Sequence, residues 1–350
     1  MIKEQIDKLI SEGHFREAGC RPALKETHIS WVMLCDQLVY KIKKPMQYSF
    51  LDFTTLEKRK YYCEREVELN SRLTDDIYLG VREVKELNGQ YSIGDEGGTI
   101  ADYAVEMRKL PSELQMDRLL TLHKVSPPDI IQLAKKIAAF HKTAAIIYQK
   151  DALDVQEKFN DLAAEKDFLE AHIAGSHAII SDAIQLSDAF VEQNISNFKS
   201  RLKAGLFRDC HGDLHSRNIF LLPAPAPFDC IEFNDDLRQI DVLNEIAFLC
   251  MDLDSFDRKD LSDLFFCHYT NLFPAIQKPA DKALFEYYKC YRANIRAKIN
   301  SLRARSAAAE ADKKSALTEA AKYLDLMNSY VKELWVYVRR NKAFQSQVQL

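Results

Sequence analysis

The sequence lacks the features that would assign it to a membrane, a secretion pathway or nucleic acid. No apolar run approaches the roughly 20 residues that a membrane-spanning helix needs, so we expect no membrane partner. The first ten residues carry acidic side chains, unlike a secretory signal, and we expect a cytoplasmic protein. A net charge of -4 provides no overall positive field, so we expect no nucleic-acid partner either.

Two further absences concern metal and nucleotide sites. The eight cysteines are scattered and form none of the close pairs that are typical of zinc sites. We therefore predict reduced, mostly buried thiols. The chain also has no Gly-x-x-x-x-Gly-Lys-Ser/Thr motif, which argues against a Walker-type ATPase.

The first third of the chain is rich in β-forming residues. Residues 29–34 and 37–43 flank Cys35-Asp36 and predict an antiparallel hairpin. A helix is predicted from about Thr54 to Leu73. Four of its apolar residues are spaced for one buried stripe, namely Leu56, Cys63, Val67 and Leu73.

From Pro111 onward the pattern becomes mainly helical, with one β-rich interruption. Residues 218–222 and 228–233 flank a proline-rich connector and predict a short hairpin. The order of elements predicts an α+β fold with two lobes. The predicted lobes are a small β-rich N-lobe, residues 1–107, and a larger helical C-lobe, residues 108–350.

The segment with the clearest chemistry is Cys210-His211-Gly212-Asp213-Leu214-His215-Ser216-Arg217-Asn218. An aspartate precedes an asparagine by five residues, directly before the predicted hairpin. Phosphoryl transfer needs a carboxylate to orient and deprotonate a hydroxyl, and an oxygen ligand for magnesium. The catalytic loop of kinases supplies both groups with this spacing.

This loop resembles that of the aminoglycoside phosphotransferase family, which reads His-Gly-Asp-Leu-His-x-x-Asn. The resemblance implies a protein-kinase-like fold, ATP and magnesium as cofactors, and transfer of a phosphoryl group to a hydroxyl of a small molecule. It makes Asp213 the catalytic base, Asn218 a magnesium ligand and His211 the residue that holds the loop. A metal triad of His211, Asp213 and His215 is an alternative, since alternate strand residues share a face.

The resemblance also implies a second metal-binding carboxylate after the hairpin, where related enzymes have an Ile-Asp-Trp-like segment. This chain reads Ile231-Glu232-Phe233-Asn234-Asp235. Glu232 occupies the expected ligand position with one extra methylene, and Asp229 and Asp235 are the alternative ligands. Asp241 matches a family aspartate that fixes the loop, and an N-cap is an equally good interpretation of it.

A phosphate-contacting lysine is expected on the second strand of the first hairpin. Tyr40-Lys41-Ile42-Lys43 resembles the Val-Ala-Ile-Lys pattern of kinases, which favours Lys43. Lys41 points the same way on a strand, so spacing alone leaves both open. Glu66 on the following helix resembles the glutamate that holds this lysine.

The nucleotide is expected to contact two more places in the N-lobe. The glycine-rich phosphate loop is missing, and Ser30 is the small residue at the corresponding place. Met107 lies at the expected connection between the lobes, where it suits an adenine-facing or core role.

The acceptor site is expected on the C-lobe helices. Tyr291, Ile295, Ile299 and Leu302 form an apolar stripe, bordered by Arg292, Arg296 and Arg303. Guanidinium groups beside a buried face suit a carboxylate or phosphate, so we predict an anionic acceptor bound by Arg292 and Arg296. An acidic series opposes this interpretation and would suit a cationic acceptor: Asp252, Asp254, Asp257, Asp260 and Asp263.

From about Thr27 to Arg303 the chain resembles the choline-kinase-like superfamily, and within it uncharacterised bacterial members of the aminoglycoside phosphotransferase family. Those bacterial members share the Tyr-Lys-x-Lys-Lys-Pro, Ile-Glu-Phe-Asn-Asp and Met-Asp-Leu-Asp segments with this chain. The missing glycine loop and the Glu232 position leave one alternative. It is a nucleotide-binding pseudokinase that acts as a regulatory or interaction module.

Overall fold

The structure is a computed structural model that describes residues 1–48, 51–94 and 97–348, with side chains up to Lys342. The strands are β1 (Ala23–Glu26), β2 (Ser30–Leu34), β3 (Leu38–Lys43), β4 (Gln47–Tyr48), β5 (Leu51–Asp52), β6 (Tyr78–Leu87), β7 (Gln90–Ile93), β8 (Thr99–Arg108), β9 (Phe207–Asp209), β10 (Ile219–Phe220), β11 (Ala226–Pro227) and β12 (Gln239–Asp241).

Three of the described helices are much longer than the average globular helix of about 12 residues, and they have 28, 27 and 39 residues. The helices are α1 (Lys3–Glu12), α2 (Leu56–Ser71), α3 (Met116–Thr121), α4 (Pro127–Thr143), α5 (Asp154–Asn160), α6 (Lys166–Glu170), α7 (Ser176–Lys203), α8 (Asp235–Arg238), α9 (Val242–Asp254), α10 (Lys259–Leu272), α11 (Ala280–Ser306) and α12 (Glu310–Val348). None of the described helices is long and apolar enough to cross a bilayer.

The chain divides into two compact units. The first comprises residues 1–122, 211–213 and 217–238, and the second comprises the rest. The first unit is built on a six-stranded antiparallel sheet in the order β1-β2-β3-β8-β6-β7, whereas the second is mainly helical. The predicted α+β class is confirmed.

Short hairpins build the sheet, as their sequences predict. Strands β2 and β3 pair from Ser30↔Lys43 to Leu34↔Val39, around the turn at Cys35-Asp36. Asn88 and Gly89 connect β6 to β7, and both have positive φ (52° and 81°). Asparagine and glycine tolerate this conformation, which matches the twist of the strands that it joins.

The buried face of helix α2 is partly polar, so the prediction of an apolar stripe is wrong for part of the helix. Leu56 and Val67 are only half-buried, whereas Arg59 and Glu66 are buried. The buried positions follow the helical spacing i, i+4, i+7 and i+11, namely Arg59, Cys63, Glu66 and Asn70. Arg59 is neutralised by Asp102 of β8, with Nε to Oδ1 at 2.8 Å.

The predicted hairpin after the loop is shorter than expected. Strand β10 pairs with β11, which lies inside the predicted proline-rich connector. Residues 228–233 are not a strand, so that prediction is wrong. The cause is Asp229, whose φ of 62° turns the chain away from an extended path.

The prediction that all cysteines are reduced is wrong for Cys20 and Cys35, which form a disulfide. The segment before β1 folds back on the β2–β3 turn and brings the two Cα atoms to 5.6 Å. Glu17 reinforces this contact, because its carboxylate accepts the backbone N–H groups of Asp36, Gln37 and Leu38. The other six cysteines are free, and all but Cys267 are buried.

The burial of residues on α11 differs from the prediction. Arg292 and Arg296 are buried, whereas Ile299 and Leu302 are exposed by 41% and 45%. The predicted apolar stripe is therefore wrong for its last two members. The arginines are accommodated by aromatic rings, with the guanidinium of Arg292 4.6 Å from the ring centre of Phe248.

The N-cap interpretation of Asp241 is confirmed. Its Oδ1 accepts the backbone N–H of Leu243 at 2.9 Å, at the start of α9. The same carboxylate forms a buried two-bond pair with Arg201 of α7. Asp241 therefore fixes one end of α9 to the helices around it.

We predict that Cys20→Ser with Cys35→Ser lowers the free energy of unfolding by about 3 kcal/mol, because the disulfide closes a 15-residue separation. The measurement is denaturant unfolding without reductant. The control is Cys267→Ser, which removes an exposed free thiol. A wild-type protein whose stability does not change when reductant is added would contradict the prediction.

Candidate functional site

The loop after β9 is held by the His211 ring. The amide of Asp213 donates to Nδ1 at 3.2 Å, so Nε2 carries the proton and donates to the carbonyl of Phe228 at 2.9 Å. Main-chain groups thus engage both ring nitrogens. These contacts do not support the alternative metal triad, because His211 would have to give up one of them to bind a metal.

Gly212 is required by the shape of the loop. Its φ is +87°, a region that residues with a side chain rarely adopt. A Cβ atom here would also lie 3.0 Å from the carbonyl oxygen of Leu237. The positive φ and this close contact therefore both favour glycine at position 212.

Asp213 and Asn218 are in direct contact. The Asn218 Nδ2 donates to the Asp213 carboxylate at 2.8 Å and to the Asp213 carbonyl at 3.1 Å. The five-residue spacing thus brings the predicted base and the predicted magnesium ligand together. The amide nitrogen faces Asp213, which leaves Oδ1 as the amide atom with the chemistry to bind a cation.

Asp229 lies beside this pair. The amide of Phe228 donates to the Asn218 carbonyl at 2.9 Å, which puts the next residue next to the loop. The amide of Asp229 then donates to the Tyr78 hydroxyl at 3.1 Å, and that of Cys230 to Asn70 Oδ1 at 2.9 Å. These bonds hold the left-handed turn at Asp229 in place.

Both candidate lysines reach Glu66. Lys41 Nζ lies 2.8 Å from Glu66 Oε1 and 2.8 Å from Asp229 Oδ1. Lys43 Nζ lies 2.7 Å from Glu66 Oε2 and forms a second ion pair with Glu232. The single glutamate therefore joins two lysine–carboxylate pairs, an outer one with Asp229 and an inner one with Glu232.

The charges in this cluster shift the ionisation of its members. Burial alone would raise the pKa of Glu66, but the two ammonium groups outweigh it and lower the pKa to about 2. Burial raises the pKa of Glu232 against the opposing effect of Lys43. Burial disfavours charge on both lysines, but the carboxylates around them overcome it and raise each pKa.

The outer and inner pairs differ in access to solvent. The side chain of Asp229 is 44% exposed and that of Lys41 is 12% exposed. Lys43 is completely buried beside the ring of Phe53, and Glu232 is 3% exposed. A bound phosphate or cation can reach the outer pair without opening the core, whereas the inner pair is closed.

Ser30 does not lie on an exposed phosphate-facing surface. It is buried opposite Lys43, and no described group lies within hydrogen-bond distance of its Oγ. The turn before it is tight, because Thr27 Oγ1 accepts the Ser30 amide and Lys44 Nζ donates to the Thr27 carbonyl. A short pinned turn thus replaces the glycine-rich loop, and the contact of Ser30 with nucleotide stays a prediction.

Met107 is half-buried on β8, opposite Val39 of β3. It packs on a cluster of buried residues in the first unit, namely Cys63, Ile77, Tyr78, Val105, Phe220 and Ala226. The cluster is apolar and continues to the strand that follows Asn218. An apolar environment of this kind fits both contact with an adenine ring and simple core packing, so the adenine contact of Met107 stays a prediction.

The predicted acceptor residues lie inside the second unit. Arg292 Nε donates to the Asn244 side chain at 2.7 Å, and Arg296 lies 5.2 Å from the ring centre of Tyr323. These contacts give both arginines a place in the packing of α9, α11 and α12. Their binding of an acceptor stays a prediction.

Two residues outside the predicted set support the cluster. Asn70 donates to the Glu66 carbonyl and accepts from Cys230, and Tyr78 supports Asp229. Asn70 follows Glu66 by four residues on α2, so the i, i+4 spacing was a usable signal. No sequence pattern pointed to Tyr78.

No protein-family model matches the chain. The chain is 32% identical over 289 residues to the uncharacterized protein Rv2004c of Mycobacterium tuberculosis and to the uncharacterized protein Mb2027c of Mycobacterium bovis. In each case the match covers 80% of this chain and 55% of the relative. The match thus spans about half the length of these relatives.

The fold is that of a solved choline kinase from Cryptosporidium parvum. The TM-score is 0.53 at 10% identity, over 95% of this chain and 92% of the kinase. A putative aminoglycoside phosphotransferase from Ralstonia eutropha gives a TM-score of 0.48 at 14% identity, over 95% of this chain and 98% of that protein. The likeness to the choline kinase confirms the expectation of a kinase-like α+β fold.

We predict that Lys43→Met lowers the free energy of unfolding by about 3–5 kcal/mol, because it leaves Glu232 buried without its ammonium partner. The double variant Lys43→Met with Glu232→Leu should lose less than about 2 kcal/mol, since it removes both charges. Denaturant unfolding of the two single variants and the double variant measures the coupling.

The matched control is Lys60→Met, which removes the exposed partner of Glu64 on α2 and should cost less than about 1 kcal/mol. Equal losses of unfolding free energy for Lys43→Met and Lys60→Met would contradict the prediction, because they would show that the buried inner pair contributes no more to stability than an exposed one.

Proposed function

We propose that this chain is an ATP- and magnesium-dependent phosphotransferase that moves the γ-phosphoryl group of ATP to a hydroxyl of a small molecule. The observation that carries the proposal is one continuous arrangement within the first unit. Asp213 bonds to Asn218, whose carbonyl holds Phe228, and the next residue, Asp229, pairs with Lys41 and through it with Glu66. Kinases use aspartate, asparagine, lysine and glutamate side chains together for phosphoryl transfer.

Lys41, rather than Lys43, is our proposed phosphate contact. Its ammonium group lies between Glu66 and Asp229 at the solvent-accessible side of the cluster. Lys43 is enclosed and neutralised by two carboxylates, so contact with phosphate would require the inner pair to open. Glu66 would steady Lys41, while Lys43 and Glu232 hold Glu66 in place.

Asp229, rather than Glu232, is our proposed magnesium ligand beside Asn218. Carboxylate and amide oxygens suit magnesium, which binds oxygen ligands and keeps several waters. The cluster contains three carboxylates and two ammonium groups, so its excess negative charge favours a cation. When bound, magnesium would neutralise phosphate charge during transfer.

Asp213 is our proposed general base. Its carboxylate would orient the acceptor hydroxyl and take its proton as the new O–P bond forms. The bond between the γ-phosphorus and the bridging oxygen breaks, and ADP leaves with that oxygen. The bond from Asn218 fixes the Asp213 carboxylate before the acceptor arrives, so little reorganisation is needed.

The chemical class of the acceptor is the open part of the proposal. An anionic acceptor remains our prediction from Arg292 and Arg296, whose observed contacts are internal to the helical unit. The test must therefore include anionic and cationic alcohols with equal weight.

We predict magnesium-dependent transfer from labelled ATP to at least one member of a pooled set of hydroxylated metabolites and aminoglycosides. Asp213→Asn should lower the rate about 100-fold or more, because it removes the base and keeps the size of the side chain. The matched control is Asp263→Asn, which changes an exposed acid on α10 and should retain the wild-type rate.

Three outcomes separate the possibilities. Turnover that Asp213→Asn abolishes supports the kinase, and the labelled product gives the acceptor class. Best turnover with cationic aminoglycosides would contradict the anionic acceptor. ATP binding without turnover in any pool would contradict the proposal and favour the pseudokinase, for which the pinned turn at residues 27–30 is the structural support.

We further predict that Asp229→Asn raises the magnesium concentration needed for half-maximal transfer about 10-fold or more. Glu232→Gln should change it less than about 3-fold, since the amide still accepts a hydrogen bond from Lys43. Magnesium titrations of both variants at saturating ATP measure the difference. The reverse order would return the ligand role to Glu232.

A further inference from the structure

The backbone of Ser216, within the 211–218 loop, is held by one carboxylate. Asp252, near the end of α9, is buried, and its Oδ2 accepts the backbone N–H of Ser216 at 2.8 Å. Ser216 lies between Asp213 and Asn218 in the sequence. The Asp252 bond therefore holds a residue of the stretch that joins the proposed base to the proposed magnesium ligand.

Asp252 also accepts a hydrogen bond from a tyrosine of α12, and that tyrosine lies beside an arginine of α11. Its Oδ1 accepts the Tyr323 hydroxyl of α12 at 3.3 Å, and Arg296 of α11 lies 5.2 Å from the ring centre of that tyrosine. Burial would raise the pKa of Asp252, but His215, Arg296 and the bonds from Ser216 lower it, so the group stays ionised. An ionised carboxylate accepts a stronger hydrogen bond from an N–H group than a neutral oxygen does.

A second cluster also contains a carboxylate, a cation and a tyrosine. Its carboxylate lies two residues further along α9, and it does not bond to the loop. Asp254 accepts the Tyr330 hydroxyl of α12 at 2.5 Å and pairs with Lys289 of α11 at 2.9 Å. Lys289 precedes Arg296 by seven residues, and Tyr330 follows Tyr323 by seven. The two clusters are therefore repeats of one carboxylate, cation and tyrosine arrangement, and only the Asp252 cluster bonds to Ser216.

We infer that Asp252 is a positioning residue for the loop that carries Asp213 and Asn218. This inference rests on the proposed function for its catalytic consequence, but the ordering of the loop can be measured without turnover. The Tyr323 hydroxyl donates to the Asp252 carboxylate, the charge of Arg296 favours its ionised form, and the carboxylate accepts the Ser216 amide. The Met-Asp-Leu-Asp segment thereby acquires two separable roles, loop positioning by Asp252 and helix packing by Asp254.

The test compares Asp252→Asn with Asp254→Asn. We expect Asp252→Asn to lower kcat about 10-fold and to change the KM for ATP less than about 3-fold, because a charge-assisted bond becomes a neutral one. We expect Asp254→Asn to keep kcat within about 2-fold. Amide hydrogen exchange across residues 213–218 should become about 10-fold faster in Asp252→Asn and stay unchanged in Asp254→Asn.

Equal kcat and equal loop exchange in the two variants would overturn the positioning role. If the wild-type protein transfers phosphate to no acceptor, the proposed function fails, and the exchange comparison alone decides the inference. Exchange that accelerates only in Asp252→Asn supports it in that case too.

Tyr323→Phe and Tyr330→Phe form a second matched pair in case Asp252→Asn does not fold. Each variant removes one hydroxyl from one carboxylate and leaves its charge in place. Faster loop exchange in Tyr323→Phe than in Tyr330→Phe supports the inference. The opposite order, or no difference, overturns it.

Discussion

The buried carboxylate of Glu66 is the group on which the rest of the candidate site depends. It forms ion pairs with two lysines of β3. Each of these lysines forms a second ion pair with a carboxylate from the segment after the loop. Removing a partner from a buried pair is costly, because the remaining charge is left unpaired. One glutamate thus couples α2, β3 and residues 229–232 into a unit whose members are stable only together.

Hydrogen bonds hold the 211–218 loop in a similar way, since each of a few residues there makes more than one contact. His211 uses its two nitrogens on two main-chain groups, and Gly212 adopts a positive φ that favours glycine. Asn218 faces Asp213 through its side chain and Phe228 through its carbonyl. Asp213 and Asn218 are therefore fixed by the loop backbone and by each other, and pre-organisation of this kind limits the reorganisation needed for reaction.

Local signals predicted much of this structure, and long-range contacts determined the remainder. The β2–β3 hairpin, the turn at Asn88-Gly89 and the loop motif follow from turn chemistry and residue spacing. The period of a strand puts Lys41 and Lys43 on one face, so only three-dimensional distances distinguish the outer lysine from the inner one. The turn at Asp229 and the disulfide of Cys20 with Cys35 arise from segments distant in sequence, which no local pattern encodes.

The repeated clusters on α11 and α12 have a consequence for how the sequence can vary. The ammonium group of Lys289 lies over the Tyr330 ring, and the guanidinium group of Arg296 lies over the Tyr323 ring. From the first pair to the second, the cation moves seven residues forward along α11 and the tyrosine moves seven residues back along α12. A single inserted or deleted residue between the two tyrosines would rotate one of them by about 100° and remove it from its cation. The two helices are thus locked in one register, and length changes should be tolerated at the junction between them, residues 307–309, and not within the locked span.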